Sequence, residues 1–253
     1  MFPVLFKLGP IMIYTYGFFV FLGVVLGYFL SLKEAKRNNI DLEVFKTIIF
    51  WTIVFGFLGA RLFYIITEFR LFILNPFKTL FSRSGFVFYG GVLSGLLVLY
   101  ILTKKHKINF LKFSDILSIA IPAGHAIGRI GCFSYGCCYG KPTTSFIGVI
   151  FPPTSPVIYT GQRVIPTQLI ESFFLFLIFL IIKFIFKKKK FDGQPFFVYL
   201  ILYSIIRFFI EFLRGDPRGE FLYLSTSQWI STVIFFISAF FYFYNLKKLK
   251  KQI

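Results

Sequence analysis

Seven apolar segments, each close to the length a helix needs to cross a bilayer, leave this chain few folds to choose from. They occupy residues 11–32, 45–67, 85–103, 113–130, 166–186, 195–213 and 227–244. About 20 residues at a rise of ~1.5 Å cover the ~30 Å of hydrocarbon. Inside lipid a segment must satisfy its own backbone hydrogen bonds, which makes each one a helix. Composition agrees: 57% of residues are hydrophobic, only 15% are charged, and mean hydropathy is +0.78. The expected fold is all-α, a polytopic integral membrane protein of seven transmembrane helices forming a single domain over 1–253.

The connections add detail. Residues 131–165 are rich in Gly, Pro, Ser, Thr and Tyr and are expected to form a small extracytoplasmic head of strands and turns. Residues 68–84 carry Phe72, Ile73, Leu74 and Phe77 and are expected to lie along the interface. The opening residues lead into an apolar run too long for a signal-peptide core, so the first segment reads as an uncleaved span. No internal repeat of the transporter kind is evident.

The net charge of +18 raises nucleic acid as a partner. The distribution excludes it, because the lysines cluster in short runs between apolar segments, as membrane loops do. One set of loops holds 17 Lys and Arg, including Lys33, Lys36, Lys104, Lys105, Lys187 to Lys190, Lys247 and Lys248. The other set holds eight: Lys7, Arg70, Lys78, Arg83, Lys141, Arg163, Arg214 and Arg218. The positive-inside bias puts the C-terminus in the cytoplasm, and an odd number of spans puts the N-terminus outside.

The three remaining cations, Arg61, Arg129 and Arg207, lie within apolar segments. A guanidinium at membrane depth costs from ~2.5 kcal/mol upward and marks a functional position by default. Three of them point to a buried anionic ligand, and the obvious anion inside a membrane is a phospholipid headgroup. Tyr203, Arg207 and Glu211 recur at four-residue spacing, so one helix face presents a hydroxyl, a cation and a carboxylate, with Arg214 just beyond. The bland alternative is an internal Arg207–Glu211 ion pair that merely pins helices. His125 and Arg129 are also four apart, in a Gly124-x-x-x-Gly128 frame that admits a close neighbour. Gln168 and Glu171 sit at the start of the fifth segment, either as a helix cap or as polar contacts to substrate. Tyr16-Gly17 and Tyr89-Gly90-Gly91 place further polar and small groups in the first and third segments.

Cys132, Cys137 and Cys138 follow the fourth segment. A structural zinc site usually has four ligands and a Cys-x-x-Cys spacing, which is absent. They read as structural thiols or as one disulfide joining Cys132 to Cys137 or Cys138, with no metal site expected.

The stretch Gly128-Arg129-Ile130-Gly131-Cys132-Phe133-Ser134-Tyr135-Gly136-Cys137-Cys138-Tyr139-Gly140 resembles the signature of the prolipoprotein diacylglyceryl transferases, Gly-Arg-x-Gly-Asn-Phe-x-Asn-x-Glu-x-x-Gly. The resemblance covers nearly the whole chain. Tyr16-Gly17 matches the family's first span, Gly59-Ala60-Arg61 with Tyr64 its second, and Gly90-Gly91 its third. Pro166-Thr167-Gln168-Leu169 with Glu171 is similar to its His-Pro-Ser-Gln-Leu-Tyr-Glu, and Tyr203-x-x-x-Arg207-x-x-x-Glu211-x-x-Arg214 to its sixth-span motif. Ser227-Gln228 resembles the Gly-Gln that opens its last span.

The departures are specific. Cys132, Tyr135 and Cys137 stand where the family has Asn, Asn and Glu, Tyr89 where it has a His before Gly-Gly, and Ile165 where it has a His before Pro.

The resemblance implies transfer of diacylglyceryl from phosphatidylglycerol to the lipobox cysteine of a prolipoprotein in the bacterial inner membrane. A thioether forms and glycerol phosphate leaves, with no metal and no nucleotide cofactor. It implies Arg129, Arg207 and Tyr203 at the chemistry. Arg61, Tyr16, Tyr89, Gly90, Gly91, Gln168, Glu171, Glu211 and Arg214 would line the substrate. The proton acceptor is open among Tyr203, Tyr89, Glu211 and His125. Two other classes fit the same intramembrane charges: a transporter of an anionic solute, and a phospholipid-binding protein that performs no chemistry.

Overall fold

A computed structural model describes residues 3–8, 11–81, 85–217 and 219–251. Arg83 and Arg218, counted above among the loop cations, and residues 82–84 of the interfacial link lie outside the described residues. Among those described, seven helices are long and apolar enough to cross a membrane. In chain order they are α1 (Thr15–Arg37), α2 (Leu42–Thr67), α5 (Phe88–Lys105), α6 (Phe110–Tyr135), α7 (Thr167–Lys187), α8 (Gln194–Leu213) and α9 (Thr226–Lys250). Two short helices, α3 (Phe69–Leu74) and α4 (Pro76–Phe81), follow α2. Three two-stranded hairpins complete the set: β1 (Val4–Leu8) with β2 (Ile11–Tyr14), β3 (Val149–Ile150) with β4 (Arg163–Val164), and β5 (Glu220–Phe221) with β6 (Leu224–Ser225). The chain is a multi-pass membrane protein with seven spans.

Two boundaries differ from expectation. The first span begins at Thr15, because Ile11–Tyr14 pairs antiparallel with Val4–Leu8. A short β-branched apolar run suits strand and helix alike. The fourth span continues to Tyr135, so the signature Gly131-Cys132-Phe133 is helical and the head begins at Gly136, where φ is +88°. The head is the small β3–β4 ladder closed over Tyr139, Phe151, Val157 and Val164.

The chain divides into two compact units, Met1–Ser31 with Ser114–Ile253, and Leu32–Phe113. In the smaller unit α2 and α5 lie in close contact along small residues. A side chain at Gly59 would overlap Ser94, and one at Gly90 would overlap Phe63. That is the small-residue approach that lets helices associate in lipid.

In the larger unit α1 meets α6 backbone to backbone at Gly23 and Gly124. α6, α7 and α8 share a buried cluster of Ile119, Ile178, Ile182 and Tyr199. Asp115, fully buried on α6, supports the start of α8. It accepts from the backbone N–H groups of Gly193 (2.9 Å) and Phe196 (3.1 Å), and from Lys189 Nζ (3.0 Å). Lys189 also bonds Asp192 at 2.7 Å. Burial works against the Lys189 ammonium, but Asp192 and Asp115 outweigh it and raise its pKa. α9 opens on a capping box, with Ser225 Oγ accepting from Gln228 N and Gln228 Oε1 accepting from Ser225 N. Large apolar side chains such as Phe21, Phe209, Phe236 and Phe240 remain exposed along the helices, as a lipid solvent allows.

Candidate active site

The charged groups of the larger unit gather on α6, α7 and α8. The i, i+4 rule places His125 above Arg129 on α6, and Arg129 Nε donates to His125 Nε2 at 3.2 Å. That bond makes Nε2 an acceptor and leaves the imidazole proton on Nδ1. Arg129 Nη2 reaches across to α7 and pairs with Glu171 Oε1 at 2.8 Å. Ser172 Oγ donates to Ala126 O at 2.8 Å and fixes α7 against α6 at this level. The His125 ring lies 5.7 Å from that of Tyr203, which in turn stacks on Tyr199.

One turn further along α8, Arg207 Nη2 pairs with Glu211 Oε2 at 2.6 Å and donates to Ser227 Oγ of α9 at 3.2 Å. The internal pair expected from the spacing is therefore formed, but it does not use up the guanidinium. Arg207 Nη1 is buried and has no hydrogen-bond partner. A guanidinium has five N–H donors and no acceptor. A buried donor left without a partner costs about 1–3 kcal/mol. On α6, a side chain added at Gly128 would meet nothing within 4 Å. The Gly124-x-x-x-Gly128 frame thus splits: Gly124 admits α1, and Gly128 borders open space.

The start of α7 does not cap as the Gln168–Glu171 spacing allowed. Its N-cap is Pro166, which makes no side-chain cap bond. Instead Thr167 Oγ1 donates to Cys138 O at 2.7 Å, and Gln168 Nε2 donates to Cys137 O at 2.8 Å. Gln168 Oε1 stays buried without a partner. These two bonds hold the signature loop over the top of α7. Arg214, at the end of α8, forms a bidentate pair with Asp216 at 2.7 Å for each contact. Its pKa is raised despite burial, because Asp216 and Cys138 lie against it. Tyr16 at the start of α1 lies beside the Tyr135 ring, 6.4 Å between centroids.

The cysteines take the first of the two states the sequence left open, that of free thiols. No disulfide joins Cys132, Cys137 and Cys138. Although they lack Cys-x-x-Cys spacing, their three sulfurs all lie within 4.8 Å of one another. The helix end brings Cys132 under the loop, and a left-handed backbone at Cys138 (φ +63°) turns its side chain inward. Hydrogen bonds from the other two thiols hold the Cys138 thiol well below the ordinary thiol range, and Arg214 and Arg129 reinforce them. The same thiol contacts push Cys137 up.

Arg61, Tyr89, Gly90 and Gly91 belong to the smaller unit. Arg61 spends its donors on backbone carbonyls: Nη2 to Thr79 O (2.6 Å) and Leu80 O (2.7 Å), Nη1 to Gly85 O (2.8 Å) and Nε to Leu80 O (3.1 Å). It ties α4 and the entry to α5 onto α2, and borders an apolar groove with Ile53, Phe57, Leu58 and Phe86. Gly90 serves the close approach of α5 to α2, and Gly91 lies against Gly56 and Ala60. Tyr89 is exposed, with its ring against Phe88. Sequence reasoning missed Ser172, whose hydroxyl carries no signal of its own in an apolar context, and the structural role of Asp115; it reached Ser227 only through the likeness of Ser227-Gln228 to a family motif, not through its bond to Arg207.

The chain is thus a seven-span membrane protein in which α6, α7 and α8 of the larger unit carry two arginine–carboxylate pairs, and one of those guanidiniums keeps a buried nitrogen unpartnered. A family model described as prolipoprotein diacylglyceryl transferase matches residues 3–244. The chain is 39% identical over 241 residues to a Clostridium perfringens protein named phosphatidylglycerol–prolipoprotein diacylglyceryl transferase 2, covering 94% of this chain and 92% of that one. It is 37% identical over 250 residues to the Clostridium tetani phosphatidylglycerol–prolipoprotein diacylglyceryl transferase, covering 99% of both. A Finegoldia magna protein of the same name is 39% identical over 236 residues, covering 91% of this chain and 90% of that one. The chain belongs to the prolipoprotein diacylglyceryl transferase family.

Proposed function

We infer that this protein transfers the diacylglyceryl group of phosphatidylglycerol to the lipobox cysteine of a prolipoprotein, releasing glycerol phosphate. The observation that carries the reading is the buried, unpartnered Nη1 of Arg207, on the same helix as Tyr203 and Glu211. A phosphodiester supplies the acceptor this donor lacks. In the reaction, the acceptor sulfur attacks the glyceryl carbon and the bond to the phosphate oxygen breaks. Negative charge then grows on the departing phosphate. Arg207 and Arg129 stabilise that charge in a site of low dielectric, where fixed donors act most strongly. Glu171 and Glu211 hold the two guanidiniums in place, and His125 orients Arg129 through its Nε2.

Tyr203 lies next to His125, which supports a role for it beside Arg129 at the reacting groups. Gln168 and Tyr16 line the approach to the signature loop, and Arg214 stiffens it through Asp216. An apolar groove of about 210 Å³ between α8 and α9, lined by Ile205, Phe208, Phe209 and Phe235, suits an acyl chain. In the smaller unit Arg61 borders an apolar groove of its own, while Gly90 and Gly91 serve the packing of α5 on α2. The chain is a single seven-helix domain in the bacterial inner membrane, N-terminus outside and C-terminus cytoplasmic, with its head admitting the peptide. The basic last turns of α1, α5, α7 and α9 support that orientation.

The test is purified protein with phosphatidylglycerol and a lipobox peptide, reading glycerol phosphate release and peptide mass. The expected result is a peptide carrying one diacylglyceryl group. Binding of phosphatidylglycerol with no change in peptide mass would contradict the reading.

A further inference from the structure

Three cysteines, Cys132, Cys137 and Cys138, lie within seven residues at the end of α6 and in the loop after it. Their sulfurs converge to within 4.8 Å without a disulfide. The convergence is built. Cys132 is buried in the last turn of α6, and its carbonyl accepts from Gly136 N at 2.9 Å and Cys137 N at 3.2 Å. The carbonyls of Cys137 and Cys138 are held by Gln168 and Thr167. The backbone of all three residues is thus anchored, and the Cys137 thiol itself donates to Cys132 O at 3.8 Å.

A tetrahedral zinc with Zn–S bonds of ~2.3 Å places its sulfurs roughly 3.8 Å apart. The three sulfurs, all within 4.8 Å of one another, lie close to that spacing. Thiolates are soft donors and select zinc-like ions over magnesium or calcium. Three thiolates around a divalent ion leave one negative charge. Two guanidiniums, Arg214 and Arg129, lie within electrostatic reach of Cys138, and Arg214 is within hydrogen-bonding reach of its sulfur. Donors of that kind around a ligating sulfur are the usual outer shell of a metal site. Among the described residues, no fourth His, Cys, Asp or Glu joins the cluster. Closed four-ligand sets are structural, whereas three protein ligands with an open position are the catalytic pattern.

We propose that Cys132, Cys137 and Cys138 bind one Zn²⁺ as three thiolates, and that the open fourth position takes the acceptor thiol of the prolipoprotein. The second half rests on the transferase reading. On coordination the acceptor S–H loses its proton to water. The zinc-bound sulfur attacks the glyceryl carbon, forming the S–C bond. The C–O bond to phosphate breaks, and its electron pair stays on the phosphate oxygen. The neutral thioether then leaves the zinc and water replaces it. No electron transfer is involved. The metal activates the thiol without either family histidine.

The experiment measures metal content of the detergent-purified, zinc-supplied protein by elemental mass spectrometry, beside Cys137→Ser and Cys138→Ser. About one zinc per chain is expected, falling by about tenfold or more in each variant. Cobalt exchanged into the wild-type protein should give a thiolate-to-cobalt charge-transfer band, a readout independent of how the variants fold. Zinc-free wild-type protein with three alkylatable thiols, or with a disulfide, overturns the site. In a second arm, chelator-stripped protein with its thiols kept reduced should lose transfer about tenfold or more while still binding phosphatidylglycerol, and Zn²⁺ should restore it. Full transfer by stripped protein overturns the catalytic role. No transfer by protein that demonstrably holds zinc would instead overturn the transferase reading.

Discussion

Arg207, buried, and Arg61, half-buried, are both arginines within apolar helices, and the chain uses them in opposite ways. Arg61 gives its N–H groups to three carbonyls, of Thr79, Leu80 and Gly85, and so closes off the end of its own unit. Arg207 keeps one nitrogen unpaired, although its other contacts to Glu211 and Ser227 fix its position. The same costly residue serves as a staple in one unit and keeps a buried nitrogen unpartnered in the other. Membrane depth alone therefore does not make an arginine a substrate contact. What decides is where its donors go.

The largest effect that would break this contrast is on transfer. Arg207→Lys keeps the charge but loses the planar fork. It is expected to lower the transfer rate roughly 10²–10³-fold, the usual cost of losing a fixed donor to developing charge. Thermal unfolding in detergent should change little. Arg129→Ala should cost as much in rate and also destabilise the fold, because Glu171 is left buried and alone. Adding Glu171→Ala should restore stability without restoring transfer, a double-mutant cycle that separates the two roles.

Next comes a pair in the larger unit that belongs to the staples. Asp115 supports the start of α8 and the Lys189 ammonium, about 21 Å along α6 from Arg129. Asp115→Ala should cost about 3 kcal/mol of stability, as expected when one partner of a buried pair is lost. The transfer rate per folded molecule should be kept.

Arg61→Ala should cost about 1–3 kcal/mol by orphaning carbonyls, with a much smaller loss of rate than Arg207→Lys. The smallest effect is in pH. The Lys189 pKa is raised in the folded protein, so its contribution is complete below the unfolded value of about 10.4. It should fade as pH climbs through the raised folded value, and unfolding curves of Asp115→Ala should lose part of that alkaline slope.

The seven spans were legible because length and hydropathy leave no other structure in lipid. The Arg207–Glu211 pair was legible because four-residue spacing dictates it. The Arg129–Glu171 pair was not, since it joins helices whose facing surfaces no local pattern sets. The end of α6 was missed because Gly131, Ser134 and Tyr135 read as loop, yet α6 runs through them beside Tyr16 and Phe19 of α1. The convergence of Cys132, Cys137 and Cys138 depends on that extra helical length and on the left-handed Cys138, and neither is written in the spacing of the cysteines. Arg61 carried the same signal as Arg207, and only the fate of its donors tells them apart.

The most direct measurement is the initial rate of glycerol phosphate release by Arg207→Ala and Arg61→Ala, each normalised to folded protein, with phosphatidylglycerol and a lipobox peptide. The account predicts that Arg207→Ala is at least about 10²-fold slower than wild type, while folded Arg61→Ala retains most of the rate. Near-wild-type release by Arg207→Ala would contradict it.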